Sequence, residues 1–169
     1  HAKWVSISVI RHKDNRIHYY VSQFTDITEK KKKDELLLFQ ANYDSLTGLP
    51  NRNLFKDRLE MKIQESRKNG SLLALLFLDL DHFKDINDTL GHDKGDELLK
   101  QVAIRIKGCI TEQDTVARLG GDEFAVILST IVDRTQIRLI AQNIIQSLNE
   151  PFNFDRSQTD YYISTSIGI

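Results

Sequence analysis

The sequence predicts an α+β fold. Its centre is a ferredoxin-like β-α-β-β-α-β antiparallel sheet with helices packed on it, preceded by a β-hairpin and a linker helix. Three observations carry this. A continuous apolar run from Leu72 to Leu80 has the character of a central buried strand. Two short β-prone segments, Val116 to Leu119 and Phe124 to Leu128, flank Gly120-Gly121-Asp122-Glu123. Between and after them lie two stretches of helical periodicity.

From the N-terminus, Trp4 to Ile10 alternates, with Val5, Ile7 and Val9 on one face and Ser6 and Ser8 on the other. His18 to Phe24 is rich in aromatic and β-branched residues, and Lys13 to Arg16 between them is turn-forming. This spells a β-hairpin, and because a lone hairpin is marginal in water it belongs to a larger sheet. Thr28 to Tyr43 reads as a linker helix. Its Lys30 to Lys33 run, flanked by acids, is a solvated face, while Leu36-Leu37-Leu38-Phe39 supplies an apolar one.

Asp44 to Arg52 breaks that helix and opens the next. Phe55, Leu59 and Ile63 recur at four-residue spacing to about Lys68, and Asn69-Gly70 ends the helix. Leu98, Leu99, Val102, Ala103, Ile106 and Ile110 form one helical stripe. Ile137, Ile140, Ala141, Ile144, Ile145 and Leu148 form another, opened by Asp133 with Gln136 three residues on, as in a capping box. Tyr161 to Ile169 reads as a final strand or strand pair.

Composition narrows the function classes. Hydrophobic residues at 40% and charged residues at 28% fit a soluble globular chain. A formal net charge of −1 argues against a nucleic-acid-binding module. The longest strongly apolar run, Leu72 to Leu78, is far short of the roughly 20 residues a membrane span needs, so no membrane contact is expected from this segment. A single cysteine, Cys109, expected as a small buried hydrophobe, fits a reducing cytoplasmic compartment. His1 is not an initiator Met, so the chain is expected to be a piece of a longer protein, whose membrane anchorage elsewhere stays open.

The chemistry is expected at two acidic spots, Asp79-Leu80-Asp81 at the end of the apolar strand and Asp122-Glu123 between the two short strands. A helical crossover makes the first two core strands parallel, so their C-terminal ends share one sheet edge. Carboxylates gathered there repel one another unless a cation neutralises them, and hard oxygen ligands suit Mg²⁺ or Mn²⁺. Gly120 and Gly121 permit positive φ and close ligand approach. Lys84 follows the acidic strand end, where it can meet phosphate charge. Asn87 and Asp96 offer an amide and a carboxylate; an Asp accepts from the N1–H and N2 amino group of guanine, which favours guanine over adenine.

These residues resemble a known family. Ala117-Arg118-Leu119-Gly120-Gly121-Asp122-Glu123-Phe124 contains the signature of the GGDEF domains, the diguanylate cyclases. Asp44 to Arg52 resembles the family's opening motif, Asp79 to Asp88 its metal-and-phosphate segment, Gly91-His92-Asp93-Lys94-Gly95-Asp96 the loop that follows, and Ser166 to Ile169 its late strand. The resemblance implies a division into residues 44–169 as a GGDEF domain that the family extends by a further helix, residues 28–43 as linker, and residues 1–27 as the C-terminal hairpin of a PAS-like sensor. It implies that Asp79, the Leu80 carbonyl, Asp122 and Glu123 hold metal, and that Lys84, Asp122 and Glu123 serve catalysis. His82, Phe83, Lys84, Asn87, His92 and Asp96 would bind GTP. Two domains facing each other as a homodimer would condense two GTP into cyclic di-GMP.

One departure is visible. Many members carry an Arg-x-x-Asp product-inhibition motif where this chain has Thr111-Glu112-Gln113-Asp114, and threonine cannot fork onto phosphate as arginine does. The competing expectation is a GTP-binding module regulating a C-terminal EAL phosphodiesterase domain. The wording around Leu49 to Phe55 and Ser166 to Ile169 resembles such tandem proteins, whereas the intact Gly120 to Phe124 set favours catalysis.

Overall fold

The computed structural model describes residues 3–11, 17–154 and 160–169. The chain divides into two compact units, residues 1–40 and 41–169.

In the first unit, β1 (Lys3–Arg11) and β2 (Ile17–Asp26) pair antiparallel, as the alternation predicts. The predicted turn at Lys13 to Arg16 lies outside the described residues. Trp4, Val5 and Ile7 are exposed. Helix α1 (Thr28–Asn42) begins where the Asp26 carboxylate accepts the Thr28 amide at 2.9 Å. It buries none of its residues, so Leu36 to Phe39 is as exposed as the lysines.

The second unit opens with α2 (Arg52–Asn69). Asn51 caps it by accepting from the amides of Asn53 and Leu54, and Gly70, at φ 65°, ends it in the left-handed region. Then follow β3 (Leu72–Leu80), α3 (Phe83–Leu90), α4 (His92–Gly108), β4 (Thr115–Gly120), β5 (Glu123–Ile131), α5 (Arg134–Asn149) and β6 (Thr165–Gly168). The sheet order is β4-β5-β3-β6, antiparallel throughout. Both β3 and β4 run antiparallel to β5, so they are parallel to each other and end on the same edge, as the crossover argument requires.

Four local readings change. The stretch after Phe83 is a separate helix, α3, and Gly91 to Asp96 is not a loop: α4 begins at His92. Its apolar stripe ends at Ile106, with Ile110 beyond the helix. The final strand shrinks to Thr165–Gly168, while Tyr161 instead forms a bridge with Phe152. Cys109 is half-buried rather than buried, its thiol 3.8 Å from the Asn143 carbonyl.

Helices cover both sheet faces, because β3 and β5 are apolar on both. Ala74, Leu76, Leu78, Val126 and Leu128 join Leu98, Val102, Ile106 and Ile144 of α4 and α5 in the main core. On the other face Phe55 of α2 packs with Ala117, Ala125 and Ile127. Helix α5 starts as predicted, with Asp133 accepting from the amides of Thr135 and Gln136, but the Gln136 side chain accepts from Val132 rather than from the cap itself.

Arg105 of α4 closes the far end of α5. Its guanidinium donates to the carbonyls of Ser147, Glu150 and Pro151 at 2.6–2.8 Å and stacks 3.7 Å from the Phe152 ring centroid. These are carbonyls a helix terminus otherwise leaves unpaired. Arg105→Ala is expected to cost about 2–4 kcal/mol in urea unfolding, and Arg105→Lys to recover less than half of it, since an ammonium cannot fork across three carbonyls. Equal stability of the parent and the alanine variant would contradict this.

Candidate active site

The β3–β5 register sets Asp79 directly opposite Glu123 at the end of the sheet. Asp122 precedes Glu123 in the hairpin turn. The turn is a tight one: Gly120 pairs with Glu123, leaving Gly121 and Asp122 to reverse the chain, and a register shift falls between Arg118 and Gly120. Gly120 and Gly121 have φ of 148° and 52°, conformations that side-chain-bearing residues resist. A β-carbon on either would meet nothing within 4 Å, so conformation rather than space requires these glycines.

Arg118 fixes the turn. Its Nε and Nη2 donate to the Gly121 carbonyl at 2.9 and 2.7 Å, and its Nη1 donates to both Asp44 carboxylate oxygens at 3.1 Å. The pair is well covered, with side chains 12% and 22% exposed. Asp44 also accepts from the Thr47 hydroxyl and amide. Burial pushes the Asp44 carboxyl up, but Thr47 and Arg118 outweigh it and hold the group below its ordinary value. The opening motif and the glycine turn, 74 residues apart, are thus one structure.

Asp79 behaves in the opposite sense. Loss of surrounding water raises its pKa above the ordinary carboxylate value, and the charges of Asp122, Glu123 and Asp81 raise it further. Asp81 is held down by hydroxyls: Ser164 and Ser166 donate to it at 2.7 and 2.8 Å, tying β3 to β6. Glu123 has one cation, Arg52, at 3.3 Å, and Arg52 Nε also donates to the Leu119 carbonyl. Among the described residues, the carboxylates of Asp79 and Asp122 have no hydrogen-bond or ion-pair partner. No three acidic, His or Cys side chains among those residues close into a ready-made metal cage. The donor chemistry nonetheless fits a hard divalent cation: oxygen ligands only, mutually repelling, with unpaired carboxylates. The Leu80 side chain is in the core, so only its backbone is available to a ligand.

A cleft of about 490 Å³ lies beside this acidic end, lined by Arg52, Phe77, Asp79, Leu119, Glu123 and Ser166 among others. Lys84, Asn87 and Asp96 stand outside it, on α3 and α4. His82 precedes α3 at φ 61°, an uncommon conformation for a residue other than glycine, and offers no side-chain cap. Its Nδ1 instead lies 3.2 Å from the Asp85 carboxylate. The Asp85 amide donates to the His82 carbonyl at 3.0 Å, and no side chain caps the amides of Phe83 and Lys84 before it, which leaves those two for an anion. Phe83 is buried and can contribute only its backbone, whereas Lys84 is exposed at the first turn. Asn87 is half-buried between α3 and α4; His92 and Asp96 are exposed on α4. The structure thus brings the three carboxylates to one end of the sheet, and sets the phosphate and base candidates on adjoining helices. Sequence reasoning missed Arg52 and Arg118; both lie inside quoted motifs, but their partners are far away along the chain.

Fold and site define a palm-like α+β domain with an acidic sheet edge. The profile described as "Diguanylate cyclase, GGDEF domain" matches residues 41–169, and the chain belongs to the GGDEF family. It is 46% identical over 133 residues to the diguanylate cyclase TpbB of Pseudomonas aeruginosa, covering 79% of this chain and 30% of TpbB. It is also 46% identical over 115 residues to the cyclic di-GMP phosphodiesterase NbdA of the same organism, covering 68% of this chain and 15% of NbdA. The chain therefore spans less than a third of the length of these relatives. The solved GGDEF domain of TpbB superposes with a TM-score of 0.71 at 44% identity, covering 75% of this chain and 73% of that one.

A folded-state pKa above the unfolded value, as for Asp79, favours folding fully below about pH 4 and loses that contribution as pH rises through the folded value. In divalent-free buffer at pH 7, Asp79→Asn is accordingly expected to melt about 1–3 °C above the parent, with the advantage shrinking toward pH 4. A variant that melts lower at pH 7 would show that the carboxylates do not repel.

Proposed function

We propose that this chain is the catalytic domain of a diguanylate cyclase, condensing two GTP into cyclic di-GMP and two pyrophosphate. The observation that carries the proposal is the acidic sheet end, where Asp79 faces Glu123 beside an intact Gly120 to Phe124 turn. The family and the diguanylate cyclase relative support it.

Asp79, the Leu80 carbonyl, Asp122 and Glu123 are the residues that would hold Mg²⁺ or Mn²⁺, which when bound neutralises the charge that grows on the transferring phosphate. Amides around His82 and Phe83 receive phosphate oxygens at the open start of α3, and Lys84 adds positive charge there. Asn87 and Asp96 read the guanine edge, with His92 on the same helix turn as Asp96 bordering the nucleotide. Each domain holds one GTP. In a homodimer the 3′-hydroxyl of one GTP attacks the α-phosphate of the other, pyrophosphate leaves, and the second attack closes the ring. Positioning and electrostatics supply most of such a rate enhancement. Either Asp122 or Glu123 would accept the hydroxyl proton.

The same reading assigns residues 1–27 to the end of a PAS-like sensor, 28–43 to a linker helix that pairs two chains, and 44–169 to the cyclase domain, working in the cytoplasm. The likeness to NbdA favours a second reading, a GTP-binding module beside an EAL phosphodiesterase domain. Chromatography of products from GTP and Mg²⁺ separates the two. The first reading expects cyclic di-GMP, at least a hundredfold less from Asp79→Asn, and none from ATP. GTP binding without product from the full-length parent would favour the second.

Thr111 and Asp114 bear on regulation. The Thr111 hydroxyl and amide donate to Asp114 Oδ2 at 2.7 and 3.0 Å, and Asp114 Oδ1 accepts the Ser129 amide at 2.9 Å. Asp114 is committed to its own loop and to β5. Cyclic di-GMP is expected to leave the initial rate unchanged through this segment, and Thr111→Arg to introduce inhibition. Inhibition of the parent that disappears in Asp114→Ala would refute this.

A further inference from the structure

Gly95 lies inside α4, buried, where a glycine has no conformational excuse. Its φ is not positive, and glycine is the poorest helix former after proline. The reason is space. A β-carbon at position 95 would overlap Asn87 Oδ1 outright and stand 3.0 Å from Asn87 Cγ and 3.3 Å from Phe83 Cζ. The amide of Asn87 therefore lies across the bare Cα of Gly95, at the closest approach of α3 to α4. The two helices are folded back through a single residue, Gly91, whose amide donates to the Asn87 carbonyl at 2.9 Å while its own carbonyl accepts the Gly95 amide at 3.3 Å. Among the described residues the Asn87 amide group makes no hydrogen bond to protein, and its Oδ1 rests against the bare Gly95 Cα. Asp96, the next residue along, is exposed beside it.

We propose that Gly95 is a specificity-determining position: by carrying no side chain it fixes the orientation in which Asn87 meets the guanine base. This rests on the guanine-binding reading of Asn87 and Asp96 given above. The obstructing atom is the end of a rotatable side chain. An alanine at 95 is thus accommodated by turning the Asn87 amide away, which alters base recognition and leaves the fold intact. Ordinary helix packing would instead make the alanine costly whatever occupied position 87.

The test is a double-mutant cycle with Gly95→Ala and Asn87→Ala, titrated calorimetrically in Mg²⁺ with 3′-deoxy-GTP and 3′-deoxy-ATP, which bind without cyclising. Gly95→Ala is expected to weaken 3′-deoxy-GTP binding about tenfold, leave 3′-deoxy-ATP unchanged, and add nothing in the Asn87→Ala background. The double variant is expected to melt close to Asn87→Ala, because alanine is then a better helix residue and only the Phe83 ring, at 3.3 Å, has to give slightly. A Gly95→Ala protein that fails to fold shows that the Asn87 amide does not turn aside, and overturns this assignment. A Gly95→Ala protein that keeps its preference for 3′-deoxy-GTP, while Asn87→Ala loses it, overturns this assignment alone. So does a double variant that melts far below Asn87→Ala or fails to fold. A parent chain with no preference between the two nucleotides sinks the guanine reading, and this assignment with it.

Discussion

The pairing of β5 with β3 is the constraint from which the active end follows. It puts Asp79 and Glu123 across from each other on neighbouring strands, with Asp122 in the adjoining turn. Like charges directly opposite in an antiparallel pair are unfavourable. Lost hydration first, and then the charges of Asp122, Glu123 and Asp81, raise the pKa of Asp79. Nothing in the strand register can relieve that conflict, because slipping β5 by one residue would move Phe124, Val126 and Leu128 out of the main core. The hydrophobic core therefore enforces an arrangement that the carboxylates alone would reject.

Two arginines show how the fold holds this arrangement. Arg118 spans from the Asp44 carboxylate to the Gly121 carbonyl, and its cover from water makes these charge-assisted bonds stronger than exposed ones. Arg52 meets Glu123 from the first turn of α2, but that pair is exposed and contributes little to stability. One arginine thus sets the backbone of the turn and the other orients a carboxylate. Elsewhere in the unit Arg105 has a purely structural role, closing α5 and stacking on Phe152.

Much of this was legible in the sequence where one physical rule dominated. The run from Leu72 to Leu80 became β3 with the same bounds, because a central strand covered on both faces leaves no room for ambiguity. The Asp133 cap and the Gly70 stop were legible for the same local reason. The split of α3 from α4 was not. It depends on Gly91 at φ 85°, and the polar stretch from Asp88 to Asp96 has too few apolar residues to show a period. The crossover argument placed the carboxylates on one edge correctly, since strand direction follows from connectivity. Arg52, Arg118 and the space at Gly95 stayed hidden, because each acts through a tertiary contact that no local pattern announces.

The divalent-cation site proposed at the sheet end rests on carboxylates that the strand register sets against one another. The most direct measurement is the melting temperature over a Mg²⁺ titration at constant ionic strength without nucleotide, with Asp79→Asn and an exposed charge variant on α2, Asp57→Asn, in parallel. Mg²⁺ is expected to raise the melting temperature of the parent chain and of Asp57→Asn in a saturating manner and to leave Asp79→Asn almost unmoved. Identical Mg²⁺ responses in all three proteins would contradict it.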